Sequence, residues 1–97
     1  SVCGSFNFEI NNNQIKEAYI AYGGMAAVPK RAKACEKVLK NMPLNINTFD
    51  HAKNYLEEDL SPIGDMRASK EYRLEIAKNL LMKCFIEINS NKLTRVN

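Results

Sequence analysis

Tryptophan is missing from these 97 residues, histidine occurs once, and no apolar run is longer than a handful of residues. Runs that short rule out a membrane-spanning helix, which needs about 20 apolar residues in succession. His51, between Asp50 and Ala52, has no second histidine to share a metal or a proton with, so it reads as a solvated or capping side chain. The 3 cysteines, Cys3, Cys35 and Cys84, lie far apart without a Cys-x-x-Cys pair, which argues against a metal clip. Each lies in an apolar periodic context, so all are expected to be buried thiols in a reducing, cytoplasmic compartment. Adjacent glycines occur at Gly23 and Gly24, but with neither Gly-x-Gly-x-x-Gly spacing nor a Gly-Lys-Ser/Thr sequence, so a phosphate cradle is disfavoured. No paired carboxylates, activated cysteine or nucleophile-base pair forms a catalytic constellation.

What is present is a modest basic excess, 14 Lys and Arg against 11 Asp and Glu, interleaved along the chain. Without a basic stripe or stacking aromatics this gives no footprint for nucleic acid. An apolar content of 45% in 97 residues fits one compact domain, residues 1–97. The chain starts at Ser1 directly in a strand pattern and without an initiator methionine, so a cut within a longer parent is expected.

The pattern turns on Tyr22-Gly23-Gly24-Met25-Ala26-Ala27-Val28-Pro29-Lys30-Arg31-Ala32. An extended segment ends there, the glycines turn it, and Pro29 presets φ for a helix. Before it, Val2, Gly4, Phe6, Phe8 and Ile10 alternate with Cys3, Ser5, Asn7 and Glu9, the period of a half-buried strand. Asn11-Asn12-Asn13 closes a hairpin, because asparagine tolerates positive φ. The return strand, Gln14 to Tyr22, sets Ala18, Ile20 and Tyr22 on one face and Ile15, Tyr19 and Ala21 on the other.

After the glycines, Ala32, Cys35, Val38, Leu39 and Met42 mark a helix that Pro43 stops. A second helix is expected from a cap at Asn47 or Thr48, with Asp50 in its first turn and Phe49, Ala52, Tyr55 and Leu56 inward, ending near Asp59. Leu60-Ser61-Pro62-Ile63-Gly64 breaks the chain. Ser69 is the expected N-cap of a long helix from Lys70 to about Ile88. Its stripe is Leu74, Ala77, Leu81, Cys84 and Ile88, widened by Ile76, Leu80 and Phe85. Asn89 to Asn97 reads as a frayed tail. The expected fold is α+β: an antiparallel hairpin or small sheet packed on three helices, a two-layer sandwich.

Two stretches together resemble a known family. Ala21 to Ala32 and Ser61-Pro62-Ile63-Gly64-Asp65-Met66-Arg67-Ala68-Ser69-Lys70-Glu71-Tyr72-Arg73 look like the two signature blocks of the C-terminal domain of molybdenum hydroxylase flavoprotein subunits. The likeness is greatest to the bacterial xanthine dehydrogenase small subunit, and carbon monoxide dehydrogenase medium subunits share the domain. The resemblance implies a parent with a [2Fe-2S] part and an FAD-binding domain ahead of this one, partnered by a molybdopterin subunit. In such parents xanthine or hypoxanthine is oxidised at molybdenum, and electrons pass through iron-sulfur centres to FAD and NAD. FAD is held mainly by segments ahead of Ser1, which leaves this chain as a lid or buttress without chemistry. The pattern departs at Val28, where the family often has threonine as a helix cap, and around Asn45-Ile46-Asn47, where relatives commonly carry a tryptophan nearby.

The residues expected to do structural or interface work are Gly23, Gly24, Pro29, Arg31, Asp65, Arg67, Ser69, Tyr72 and Arg73. Asp65 and Arg67 are placed to pair or to tie the loop to backbone, with the Arg67 fork spanning two acceptors. Tyr72 and Arg73 lie in the first turns of the long helix, where one of them is able to point back to the glycine turn. Fastening the loop and contacting flavin or a neighbouring domain both remain open for this set. The alternative function is a stand-alone interaction module that offers a strand edge to a partner.

Overall fold

The computed structural model describes residues 3–23, 30–60 and 67–94, with side chains in the last span for residues 71–90. Strand β1 (Cys3–Asn11) runs antiparallel to β2 (Gln14–Gly23). Asn12 and Asn13 join them with φ of 53° and 63°, the two positive values that a tight two-residue turn requires. A short third strand, β3 (Lys30–Arg31), pairs with β2 through Ala21 and Tyr22, giving the order β1-β2-β3. Helices α1 (Lys33–Leu39) and α2 (Ile46–Ala52) follow. A 3₁₀ turn (Lys53–Tyr55) then leads into α3 (Leu56–Asp59), and α4 (Arg67–Thr94) completes the order. Counting α2 through α3 as one bent helical segment, a small sheet and three helical segments make the expected two layers.

α1 packs on β2, and α4 on β1. Between the layers lie Ile15, Ile20, Tyr22, Cys35, Leu39, Phe49, Leu56 and Leu81, all fully buried. Phe49 on α2 joins the parts: its ring meets Phe8 of β1 at 5.7 Å and Phe85 of α4 at 4.9 Å. The Tyr22 ring takes Phe6 edge-on at 5.7 Å. Gly4 leaves the room this needs, since a Cβ there would lie 2.7 Å from Phe6 Cζ.

Several local expectations are corrected. Ile15 shares the buried face with Ala18, Ile20 and Tyr22 rather than facing outward with Tyr19. The cause is a bulge: Glu9 pairs with Glu17 and Ile10 with Ile15, so Lys16 is an extra residue and the alternation slips by one. Lys30 and Arg31 form a strand, so the helix expected after the glycines starts later, at Lys33. It ends at Leu39, not at Pro43, because Lys40 is extended and Asn41 turns to φ 66°; Met42 therefore leaves the helix and is 40% exposed.

Asn45 caps α2, its Oδ1 accepting the Thr48 N–H at 2.9 Å, which places Asp50 beyond the first turn, paired with Lys53 at 2.9 Å. α4 takes in Arg67 and Ser69, so Arg67 is not in a loop and Ser69 is not the cap. Its helical backbone continues through Asn89 to Thr94 instead of fraying. At 28 residues α4 is roughly 42 Å long, which sets the long dimension of a 49 × 22 × 22 Å molecule. Cys3 is exposed, not buried, because it alternates with Gly4 and so shares the solvent face with Ser5 and Asn7.

Candidate functional site

Helix α1 begins where β3 ends, and the connection is held by two carboxylates. Glu36, buried in the first turn of α1, accepts from Arg31 Nε and from a second guanidinium nitrogen, each at 2.8 Å. Its Oε2 also accepts the Ile20 N–H at 2.7 Å. That contact continues the sheet. The Ala32 N–H bonds the Ile20 carbonyl at 2.8 Å, but the Ala32 carbonyl is taken by the Glu36 N–H, so the carboxylate supplies the acceptor that a longer β3 would have provided. The Arg31 guanidinium lies 5.1 Å from the Tyr19 ring centroid, on the outer face of the sheet. The hydrogen bond to Glu36 is the main reason its pKa is raised further.

The second carboxylate comes from far along the chain. Ala32, at the N-cap of α1, offers no side chain, and Asp59 at the end of α3 fills the role: Oδ1 accepts the Ala34 N–H and Oδ2 the Cys35 N–H, both at 2.8 Å. Val28, where this chain lacks the family's threonine cap, lies outside the described residues. The Asp59 cap ties the end of α3 to the start of α1. Asp59→Ala is expected to cost about 1–2 kcal/mol, in the range of lost helix caps, read as a lower urea midpoint at unchanged m-value.

The third tie links β2 to α4, where the buried Tyr22 hydroxyl donates to the Ala77 carbonyl at 2.8 Å. Burial pushes the Tyr22 pKa well up, with the nearby Cys35 and Cys84 adding to it. Burial likewise raises the Cys35 thiol to about 12, helped by Asp59 and Glu36, and Cys84 to about 11, helped by Glu87. Both are therefore protonated and unreactive at neutral pH. All three groups hold their protons more tightly in the fold than in the unfolded chain. Their contribution is complete below the unfolded thiol value and drains as pH rises from about 9 towards 12, where the unfolded chain binds fewer protons. Denaturant midpoints are expected to be flat at neutral pH and to fall through that alkaline window.

Of the residues singled out above, the structure gives four their surroundings. Arg31 is in the clasp. Gly23 ends β2 close to Cys3, where a Cβ would come within 3.1 Å of the sulfur. Tyr72 is 70% exposed on α4, with Arg73 half-buried beside it. Gly24, Pro29 and Asp65 lie outside the described residues, as do the side chains of Arg67 and Ser69. His51 is exposed in the last turn of α2, its ring 5.4 Å from Tyr55. Glu36 and Asp59 went unnoticed in the sequence, although each carried a signal. Glu36 interrupts an apolar helix face between Cys35 and Leu39, and Asp59 ends an acidic run at a helix C-terminus, where the dipole disfavours it. Among the described residues, no buried side-chain nitrogen or oxygen lacks a hydrogen-bond partner, and no group of His, Cys, Asp and Glu is placed to hold a metal.

The CO dehydrogenase flavoprotein C-terminal domain family matches residues 1–88. This chain belongs to that family. Within it, the chain is 31% identical over 78 residues to the xanthine dehydrogenase FAD-binding subunit of Escherichia coli O157:H7, covering 80% of this chain and 27% of that protein. It is 32% identical over 80 residues to the glyceraldehyde dehydrogenase medium chain of Sulfolobus acidocaldarius, covering 82% and 28%. Among solved structures, quinoline 2-oxidoreductase from Pseudomonas putida 86 superposes with a TM-score of 0.74 at 21% identity, over 89% of this chain and 30% of that one. CO dehydrogenase from Oligotropha carboxidovorans gives 0.71 at 24%, over 84% and 29%. These two likenesses establish the CO dehydrogenase flavoprotein C-terminal fold. The chain spans less than a third of the length of each relative. Among the described residues no helix is long and apolar enough to cross a membrane.

Proposed function

We propose that residues 1–97 form a single C-terminal domain that buttresses the FAD-bearing part of a longer subunit of a xanthine dehydrogenase-like molybdenum hydroxylase. In this reading the parent lies in the cytoplasm and oxidises xanthine or hypoxanthine with a molybdopterin partner subunit. Electrons pass through [2Fe-2S] centres to FAD and on to NAD, and this domain does no chemistry. One observation carries it: the CO dehydrogenase flavoprotein C-terminal domain family matches residues 1–88, and a xanthine dehydrogenase FAD-binding subunit is 31% identical over 78 residues. The cofactor is assigned mainly to residues ahead of Ser1, as the resemblance of the two blocks implies. Gly23, Gly24, Pro29, Arg31, Asp65, Arg67, Ser69, Tyr72 and Arg73 are assigned structural or interface work in that buttress.

The test is to produce the chain joined to the preceding residues of its parent and to measure bound flavin by absorbance. Yellow, flavin-replete protein is expected, and a colourless product from an intact parent contradicts the assignment. Arg67→Ala in that parent is expected to lower the melting temperature or flavin retention, with turnover per bound flavin unchanged.

A further inference from the structure

The main-chain directions in β2 fix which side of β1 is open. Both polar groups of Ile20 face away from β1, the N–H to Glu36 at 2.7 Å and the carbonyl to the Ala32 N–H at 2.8 Å. Ile15 does the same, donating to the Met42 carbonyl at 2.9 Å and accepting the Asn41 N–H at 2.6 Å. Phe6 lies opposite Ile20, and Ile10 opposite Ile15. In an antiparallel ladder a residue whose opposite number turns away also turns its own N–H and C=O away. By alternation Gly4, Phe6, Phe8 and Ile10 all direct these groups to the far side of β1, where the sheet has no neighbouring strand among the described residues.

Strand edges of this length are usually guarded by proline, lysine or a bulge. β1 has none of these: its sequence from Cys3 to Asn11 carries a single charge, Glu9, and the bulge lies on β2. We propose that this edge accepts one extended peptide segment as an antiparallel fourth strand, with apolar residues opposite Phe6 and Phe8 and no acidic residue opposite Glu9. The register supplies the affinity through main-chain bonds, and the partly buried Phe6, Phe8 and Ile10 continue the apolar face onto the added strand. A second copy of this chain does not fit, because α4 packs over β1. Pairing two copies edge to edge would bring both α4 helices to the same side of the joined sheet over neighbouring strands about 4.8 Å apart, whereas packed helix axes need about 8–10 Å. A lone strand carries no helix layer. The proposal does not rest on the flavin reading.

The probe is a synthetic peptide copying Cys3–Asn11 with serine in its first position. Paired antiparallel about Asn7, it sets Phe6 against Phe8, Gly4 against Ile10 and Glu9 against Ser5, so every outward group is matched without opposing like charges. Amide hydrogen exchange of the 97-residue chain is followed by NMR. Saturating peptide is expected to slow the Phe6 and Phe8 amides at least about 10-fold, while Ser5, Asn7 and Glu9, bonded to β2, stay protected with or without it. N-methylation of the peptide at its own Phe8 is expected to abolish the effect, and at its Asn7 to spare it. Unchanged exchange at millimolar peptide, or equal activity of the two methylated peptides, would overturn the proposal. So would sedimentation of the chain alone as a dimer with these amides protected, which would make a second copy the occupant.

Discussion

Phe49→Ala is expected to lower the stability of this chain by about 3–5 kcal/mol, as for other buried aromatic truncations. The side chain is fully buried, and its ring is packed against both Phe8 and Phe85, so its loss opens a hole where β1, α2 and α4 meet. A domain of this size has a total of about 5–15 kcal/mol, so much of its margin goes with one ring. The melting temperature is expected to fall by roughly 12–40 °C, at about 4–8 °C per kcal/mol. Phe49→Leu, which keeps most of the volume, is expected to cost less than half as much. Equal melting temperatures for Phe49→Ala and wild type would mean that the layers are not joined here.

Glu36→Ala is the second large effect, expected at about 2–3 kcal/mol, the range for hydrogen bonds to a charged group plus the penalty for an orphaned donor. The cost is not evenly shared. Arg31 is 45% exposed in its side chain and rehydrates when its partner leaves, so the ion pair itself contributes little. The Ile20 N–H is buried and has no other acceptor, since the Ala32 carbonyl belongs to α1. Glu36→Gln keeps an acceptor and is expected to recover most of the loss, whereas Arg31→Ala is expected to cost far less than Glu36→Ala, since its guanidinium is solvent-screened. Chemical denaturation of the three variants separates these terms. Should Arg31→Ala prove as costly as Glu36→Ala, the ion pair and not the sheet contact would carry the energy.

How much of this was legible in the sequence depended on the range of the forces involved. The hairpin was readable because its signal is local: three successive asparagines, two of which take the positive φ required. The stripe on α4 was readable because Ala77 and Leu81 recur at helical spacing, and both are fully buried. Asn41 obeys the same backbone rule as Asn12 and Asn13, yet in the sequence proline at 43 reads as the stronger stop. In the fold Asn41 has φ 66° and ends α1 earlier, while Pro43 bridges to Gln14.

Ile15 was assigned to the wrong face because the extra residue at Lys16 is set by β1's pairing, which no alternation within β2 reveals. The clasps were hidden for a related reason. Asp59 acts 24 and 25 residues away, on Cys35 and Ala34, and Glu36 acts 16 residues back on a strand N–H. A carboxylate bonded to distant backbone leaves no periodic trace. The two blocks that signalled the family adjoin these clasps, with Arg31 inside the first, Glu36 just after it and Asp59 just before the second.

The most direct measurement is turnover per bound flavin in the flavin-bearing parent carrying Glu36→Ala, set beside its flavin content and melting temperature. A passive end piece predicts that flavin content and melting temperature fall together while each remaining flavin turns over at the wild-type rate. A parent that keeps its full flavin complement and its wild-type melting temperature but turns over more slowly would contradict that account.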